Sequence, residues 1–161
     1  MIERIVDLFE KSFRGDPMAW HASSTMQLLK EMTAEQAAAY PVDDRHSIWE
    51  IVNHMHVWDR EARKTMGGEL FPLFTGGEDW PKVEDISPNA WKKAISDMER
   101  EHDKFVDVIK NFDVKELGRL VDMDKSWPSP WAITTYYQLI HGMLHHKIYH
   151  TGQIAVLKTT H

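Results

Sequence analysis

His146 and His150 lie four residues apart on the apolar stripe of a long helical pattern, so any fold of this chain must satisfy two imidazoles in its interior. The constraint comes from their phase. At about 100° per residue, Tyr136, Leu139, Met143, His146, Ile154 and Leu157 all fall within roughly 40° of His150. Buried imidazoles need partners, and two readings follow: a shared metal ion, or hydrogen bonds to carbonyls and carboxylates. His141 and His145 have the same spacing but point about 140–180° away, which reads as a solvated helix face.

The rest of the chain reads as helical too. Residues 2–13 place Ile5, Leu8, Phe9 and Phe13 at helical spacing, until Gly15-Asp16-Pro17 interrupts them. A second segment is expected over about 18–31, and a helical turn over 33–39, where Thr33 and Gln36 form a capping-box pattern. Ser47 and Glu50 repeat that pattern and open a long helix to about Met66, ended by Gly67-Gly68. Ser87-Pro88 starts another helix to about Asn111, with Trp91, Ile95, Met98, His102, Phe105 and Ile109 on its apolar face. The last helix spans about 134–158. Between these lie an irregular stretch over 113–133 and a long structured loop over 69–87, and loops of the latter's length are usually functional or mobile. No strand-like alternation, repeat or low-complexity segment appears. The expected fold is therefore an all-α bundle of four principal helices with short extra helices and long loops, a single domain over 1–161.

Composition narrows the chemistry. The chain has no cysteine, so a metal site here must be built from histidine and carboxylate. A net charge of −6 and the lack of any Lys/Arg-rich run argue against a nucleic-acid surface. The N-terminus reads as no signal peptide, and no apolar stretch is long enough to cross a bilayer; a soluble cytoplasmic protein without a membrane partner is expected.

Catalytic sites built on histidine commonly take three protein ligands and leave a position open. For the third ligand, His54 sits at the edge of the inward face of its helix, with Ile51, Trp58, Ala62 and Met55 about 40–100° away. Trp49 and Val57 fall off that stripe, and His56 points away. His102 is the rival, on the apolar side of its own helix. His46 reads as a loop or cap residue, and His21 and His161 are further candidates.

The run Ser47-Ile48-Trp49-Glu50-Ile51-Val52-Asn53-His54, followed far along the chain by His146-x-x-x-His150-x-Gly152-Gln153, resembles the DinB/YfiT-like superfamily of metalloenzymes. The resemblance covers nearly the whole chain. It implies a four-helix bundle in an up-down-down-up arrangement. It also implies a divalent metal held by His54, His146 and His150; the ion itself is left open, and imidazole ligands suit zinc or nickel foremost, with iron or manganese compatible. Many members carry Arg where this chain has Thr151, a position expected to neighbour the ligand without facing the core.

Members with known activities use low-molecular-weight thiols such as bacillithiol, mycothiol or glutathione. The resemblance thus implies a metal-dependent S-transferase acting on a small molecule. A hydrolase using metal-activated water, with Glu50 or Glu61 as base, and a non-catalytic metal-binding bundle are the alternatives. A charged thiol would favour cationic groups near the site, a hydrolase a carboxylate, and a structural ion a fourth protein ligand such as His102. Trp58, Trp80, Trp127, Trp131 and Tyr149 are candidates to line the cleft, although core or loop-anchoring roles would use the same rings. Related bundles often dimerise, and the aromatic content is compatible with a homodimer.

Overall fold

Ile2, Ile5, Phe9 and Phe13 make one buried stripe on the first helix, α1 (Ile2–Phe13), while Leu8, one position off it, is left 48% exposed. The computed structural model describes residues 1–15, 19–128 and 133–160. Among these, α1 is followed by α2 (Thr25–Leu29), α3 (Ala34–Ala38), α4 (Ile48–Met66), α5 (Pro88–Lys110), a 3₁₀ turn at Val114–Glu116, and α6 (Tyr136–Lys158). There is no strand among the described residues, only isolated bridges pairing Phe71 with Met123 and Leu120 with Thr135.

The long helices form a ring of contacts in which α1 packs on α5 and α6, and α4 packs on the same two. This is an all-helical bundle with short extra helices. α2 leans on α6, and α3 fills in against α4 and α5. The ring explains why Trp49 and Val57 are buried although they lie off the predicted stripe of α4. That helix has neighbours on several sides.

Local chemistry sets the ends. Ser47 accepts from the Glu50 amide while Glu50 accepts from that of Ser47, the expected capping box. At the other end the Gly68 amide reaches Thr65 O and the Glu69 amide reaches Lys64 O, a Schellman closure with Gly68 at φ +100°. Only glycine takes that conformation without strain. Ser87 caps α5 with Pro88 in its first turn, and Thr135 with Gln138 boxes the start of α6. The expected helix over 18–31 is shorter than predicted. Ser24 caps and starts α2, and Ala22 before it sits at φ +112°, outside helical space. The Asp16-Pro17 interruption and Met18 lie outside the described residues.

One ion pair is buried inside the bundle. Lys147 Nζ of α6 donates to Asp59 Oδ2 of α4 at 2.6 Å, and both side chains are about as inaccessible as the aliphatic core around them. No helix of the described residues is long and apolar enough to cross a membrane.

Candidate metal centre

α4 and α6 pack directly, and each presents histidine at their contact: His54 from α4, His146 and His150 from successive turns of α6. His54 and His150 are buried, and His146 is half-buried. Their Nε2 atoms converge. Those of His54 and His150 each lie 3.0 Å from that of His146, and one ring nitrogen from each of the three lies within 4.8 Å of the others.

The far side of two rings fixes what the near side offers. Asp79 O accepts from His54 Nδ1 at 2.7 Å, and Gln153 Oε1 accepts from His150 Nδ1 at 2.6 Å. A carbonyl can only accept, so each Nδ1 carries the proton, and in the neutral ring Nε2 is left as a bare lone pair. A single proton on His146 Nε2 could serve only one of the two lone pairs facing it. The other contact would then set two lone pairs against each other.

Burial keeps the rings neutral. It pushes His54 down to about 4, with the neighbouring His150 and His46 adding to the effect. It pushes His146 down to about 2, reinforced by His150, His54 and Lys147. His150 is lowered as well, chiefly by burial, while its bond to Gln153 pulls the other way. Neutral imidazoles with Nε2 inward and Nδ1 tied outward are the donor set a divalent cation requires. With metal–nitrogen distances of about 2.0–2.1 Å, cis ligands lie about 3 Å apart, the spacing of the two pairs that His146 makes. The residues fit the ion.

The remaining candidates go elsewhere. His102 is wholly buried on α5, stacked on Phe13 and near Glu10, and does not close the site. His56 Nδ1 faces Asp97 O, and His141 and His145 turn outward as their phase predicts. His46 stacks on Trp80, whose ring also stacks on His54 at 3.8 Å, so this loop residue lends the centre a wall instead of a ligand. Glu50 is engaged by Tyr40 and its capping box, and Glu61 by Arg60 and Lys64; neither approaches the cluster. Thr151 corrects its expectation. It is buried and shares a 2.6 Å hydroxyl contact with Thr25, because α2 covers that side of α6. Trp131 and His161 lie outside the described residues.

Sequence reasoning missed Asp79 and the role of Gln153. Gln153 had a signal, since it lies three residues beyond His150 on the same helix face. Asp79 had only the length of its loop. Besides its carbonyl, its carboxylate accepts from Trp58 Nε1 and sits 3.7 Å from His54 Nδ1, on the side of the ring turned away from the cluster.

Beside His146 opens a cavity of about 810 Å³ whose walls include Trp58, Phe71, Met123, Trp127 and Met143. An aromatic chain leads from it to the cluster: Trp127 to Phe71, Phe71 to Trp58, and Trp58 to His146 at 4.9 Å. Tyr149 is 63% exposed and only borders the site, its hydroxyl accepting from Gln153. No curated protein and no solved structure matches the chain. The sequence model of the DinB superfamily matches residues 18–154, from before α2 to near the end of α6.

Proposed function

Because the chain belongs to the DinB superfamily, we propose that His54, His146 and His150 hold one divalent ion, zinc or nickel foremost, and that the protein is a metal-dependent thiol S-transferase. The observation that carries the metal is the convergence of three neutral imidazoles with Nε2 inward. An ion bound there would lower the pKa of a thiol that joins it and polarise an electrophile.

The chain's own residues fix the ligands and shield them. Asp79 O and the Trp80 ring hold His54, and Gln153 holds His150. Trp58 keeps water from one flank of His54 and His146. No fourth His, Asp or Glu joins the cluster among the described residues, which leaves a position for a reactant. Thiol transfer is favoured over hydrolysis by the placement of carboxylates. Water activation is served by a base within reach, yet Glu50 and Glu61 are committed elsewhere and Asp79 lies behind His54. A thiol needs no such base once the ion has lowered its pKa.

Elemental analysis of the purified chain tests the first half of this reading. Near-stoichiometric metal is expected in the parent and in His145→Ala, and none in His150→Ala. Equal metal in both variants would sink the ligand assignment. The second half is tested by thiol consumption with 1-chloro-2,4-dinitrobenzene and bacillithiol, mycothiol or glutathione. Turnover is expected only with metal present. A fully loaded protein inert toward all three thiols would leave a metal-binding bundle and remove the transferase.

A further inference from the structure

Resting on that reading, we propose that the cavity beside His146 is the seat of the second reactant, and that this reactant is uncharged and carries an aromatic or similarly bulky apolar group. Its volume, about 810 Å³, falls in the range of sites that enclose a drug-sized molecule. Its walls dictate the chemistry. Lysine, arginine, aspartate and glutamate are missing from the lining among the described residues, so away from its His146 end an ion entering here would lose its hydration and find no counter-charge. Lys147, next to His146 in sequence, is already paired with Asp59 in the interior.

The two indoles are committed in a way that leaves their rings for the ligand. Trp58 Nε1 donates to Asp79 Oδ2 at 3.3 Å, and Trp127 Nε1 donates to Pro72 O at 3.1 Å. With the polar edge of each satisfied by the protein, carbon surface is what remains to contact a guest. Met123 and Met143 add unbranched, polarisable side chains that adapt to more than one shape. Of the polar groups in the lining, His146 supplies orientation, since Gln138 Oε1 is committed to the cap at Thr135. His146 alone belongs both to the cavity and to the imidazole cluster, so a guest oriented by that end presents its reactive atom to the centre.

Gly142 points the same way. It sits mid-helix in α6 on the cavity wall, and a Cβ built there would meet nothing within 4 Å. Glycine inside a helix is unfavourable relative to alanine. Here it keeps open the space that a side chain would fill, and it offers a way to close the cavity without touching a ligand.

The experiment uses N-phenyl-1-naphthylamine, an uncharged probe whose fluorescence rises in apolar surroundings, titrated into the full chain with zinc and again after chelation. 1-Naphthamide and 1-naphthoate, alike in ring and different in charge, serve as competitors. The expected results are saturable probe binding, displacement by the amide at least tenfold more effective than by the anion, and at least tenfold weaker binding in Gly142→Phe but not in Gly142→Ala. Met123→Trp fills the space from the opposite wall and should give the same loss, so a folding defect in one variant does not decide the matter. Parent-like binding in both filled variants, or equal displacement by naphthoate after chelation, would overturn the proposal. Metal analysis of the same samples separates the two readings. Saturable binding without metal upholds the cavity and removes the metal centre, whereas metal without probe binding does the reverse.

Discussion

Lys147 carries a charge with no water around it, one residue from a histidine whose neutrality the centre requires. Its ammonium is compensated by Asp59 at 2.6 Å and lies 4.8 Å from the Phe13 ring centroid. A buried pair of this kind gains little over an apolar pair of equal size, but breaking it strands an ion. Lys147→Met should therefore cost about 3–5 kcal/mol, while the double variant Asp59→Leu/Lys147→Met should recover most of that loss. Urea unfolding of the two variants checks this. A single variant within about 1 kcal/mol of the parent would mean that Asp59 finds water or another partner on its own. The residue also marks where a helical wheel stops being informative. Scoring apolar side chains located His146 and His150, yet it passed over Lys147 and Thr151, whose burial depends on partners from α4 and α2 that no pattern within α6 can encode.

At the scale of elements, the legible parts were those governed by neighbours in sequence. The capping boxes at Thr33 and Ser47 and the glycine closure of α4 are short-range hydrogen-bond patterns, and they appear where the residues put them. Asp79 reaches His54 through a contact 25 residues long, set by how a loop rich in proline and glycine returns across α4, and its periodicity carries no trace of that. The cap of α4 has a consequence for the centre as well, because His54 rides seven residues beyond it. Ser47 is fully buried, so no water stands ready to take its hydroxyl's place as acceptor for the Glu50 amide. Ser47→Ala should destabilise the protein by about 1–2 kcal/mol, the upper part of the usual range for a lost cap. Chemical denaturation with unchanged m-value would report it. A loss below about 0.5 kcal/mol would show that tertiary packing alone holds the first turn.

A histidine outside the metal centre adds its own part to the whole molecule's response to acid. His102 is wholly buried between α5 and α1, stacked on Phe13 with ring centroids 3.9 Å apart, and neither ring nitrogen has a hydrogen-bond partner among the described residues. The charged groups around it are Glu10 of α1, Asp59 of α4 and Lys147 of α6. Burial lowers its pKa from the ordinary 6.5, and Lys147 lowers it further, against the pull of Glu10 and Asp59. The sign is then fixed. Above 6.5 neither the folded nor the unfolded chain protonates this ring, so its contribution is flat. Below 6.5 the unfolded chain takes up a proton that the folded chain refuses, and stability falls with a slope of up to about 1.4 kcal/mol per pH unit. Glu10 acts in the same direction at lower pH. Its carboxyl, held down to about 2 by His102 once acid has charged that ring 3.7 Å away and then by Arg14, contributes above the ordinary carboxylate value of 4.5, and the contribution disappears as pH falls through about 2. Replacing His102 with phenylalanine keeps a flat ring against Phe13 and removes two unpaired nitrogens. His102→Phe should therefore match or exceed the parent at pH 7.5, by about 1–3 kcal/mol if the nitrogens are unsatisfied in solution too. Between pH 6.5 and 5, where Glu10 is mostly ionised in both states, the variant's curve should be flatter by about one histidine's slope. Thermal unfolding of the chelated protein across that window measures both effects. Parallel curves would mean that His102 titrates normally inside the fold, with water or Glu10 stabilising its charged form.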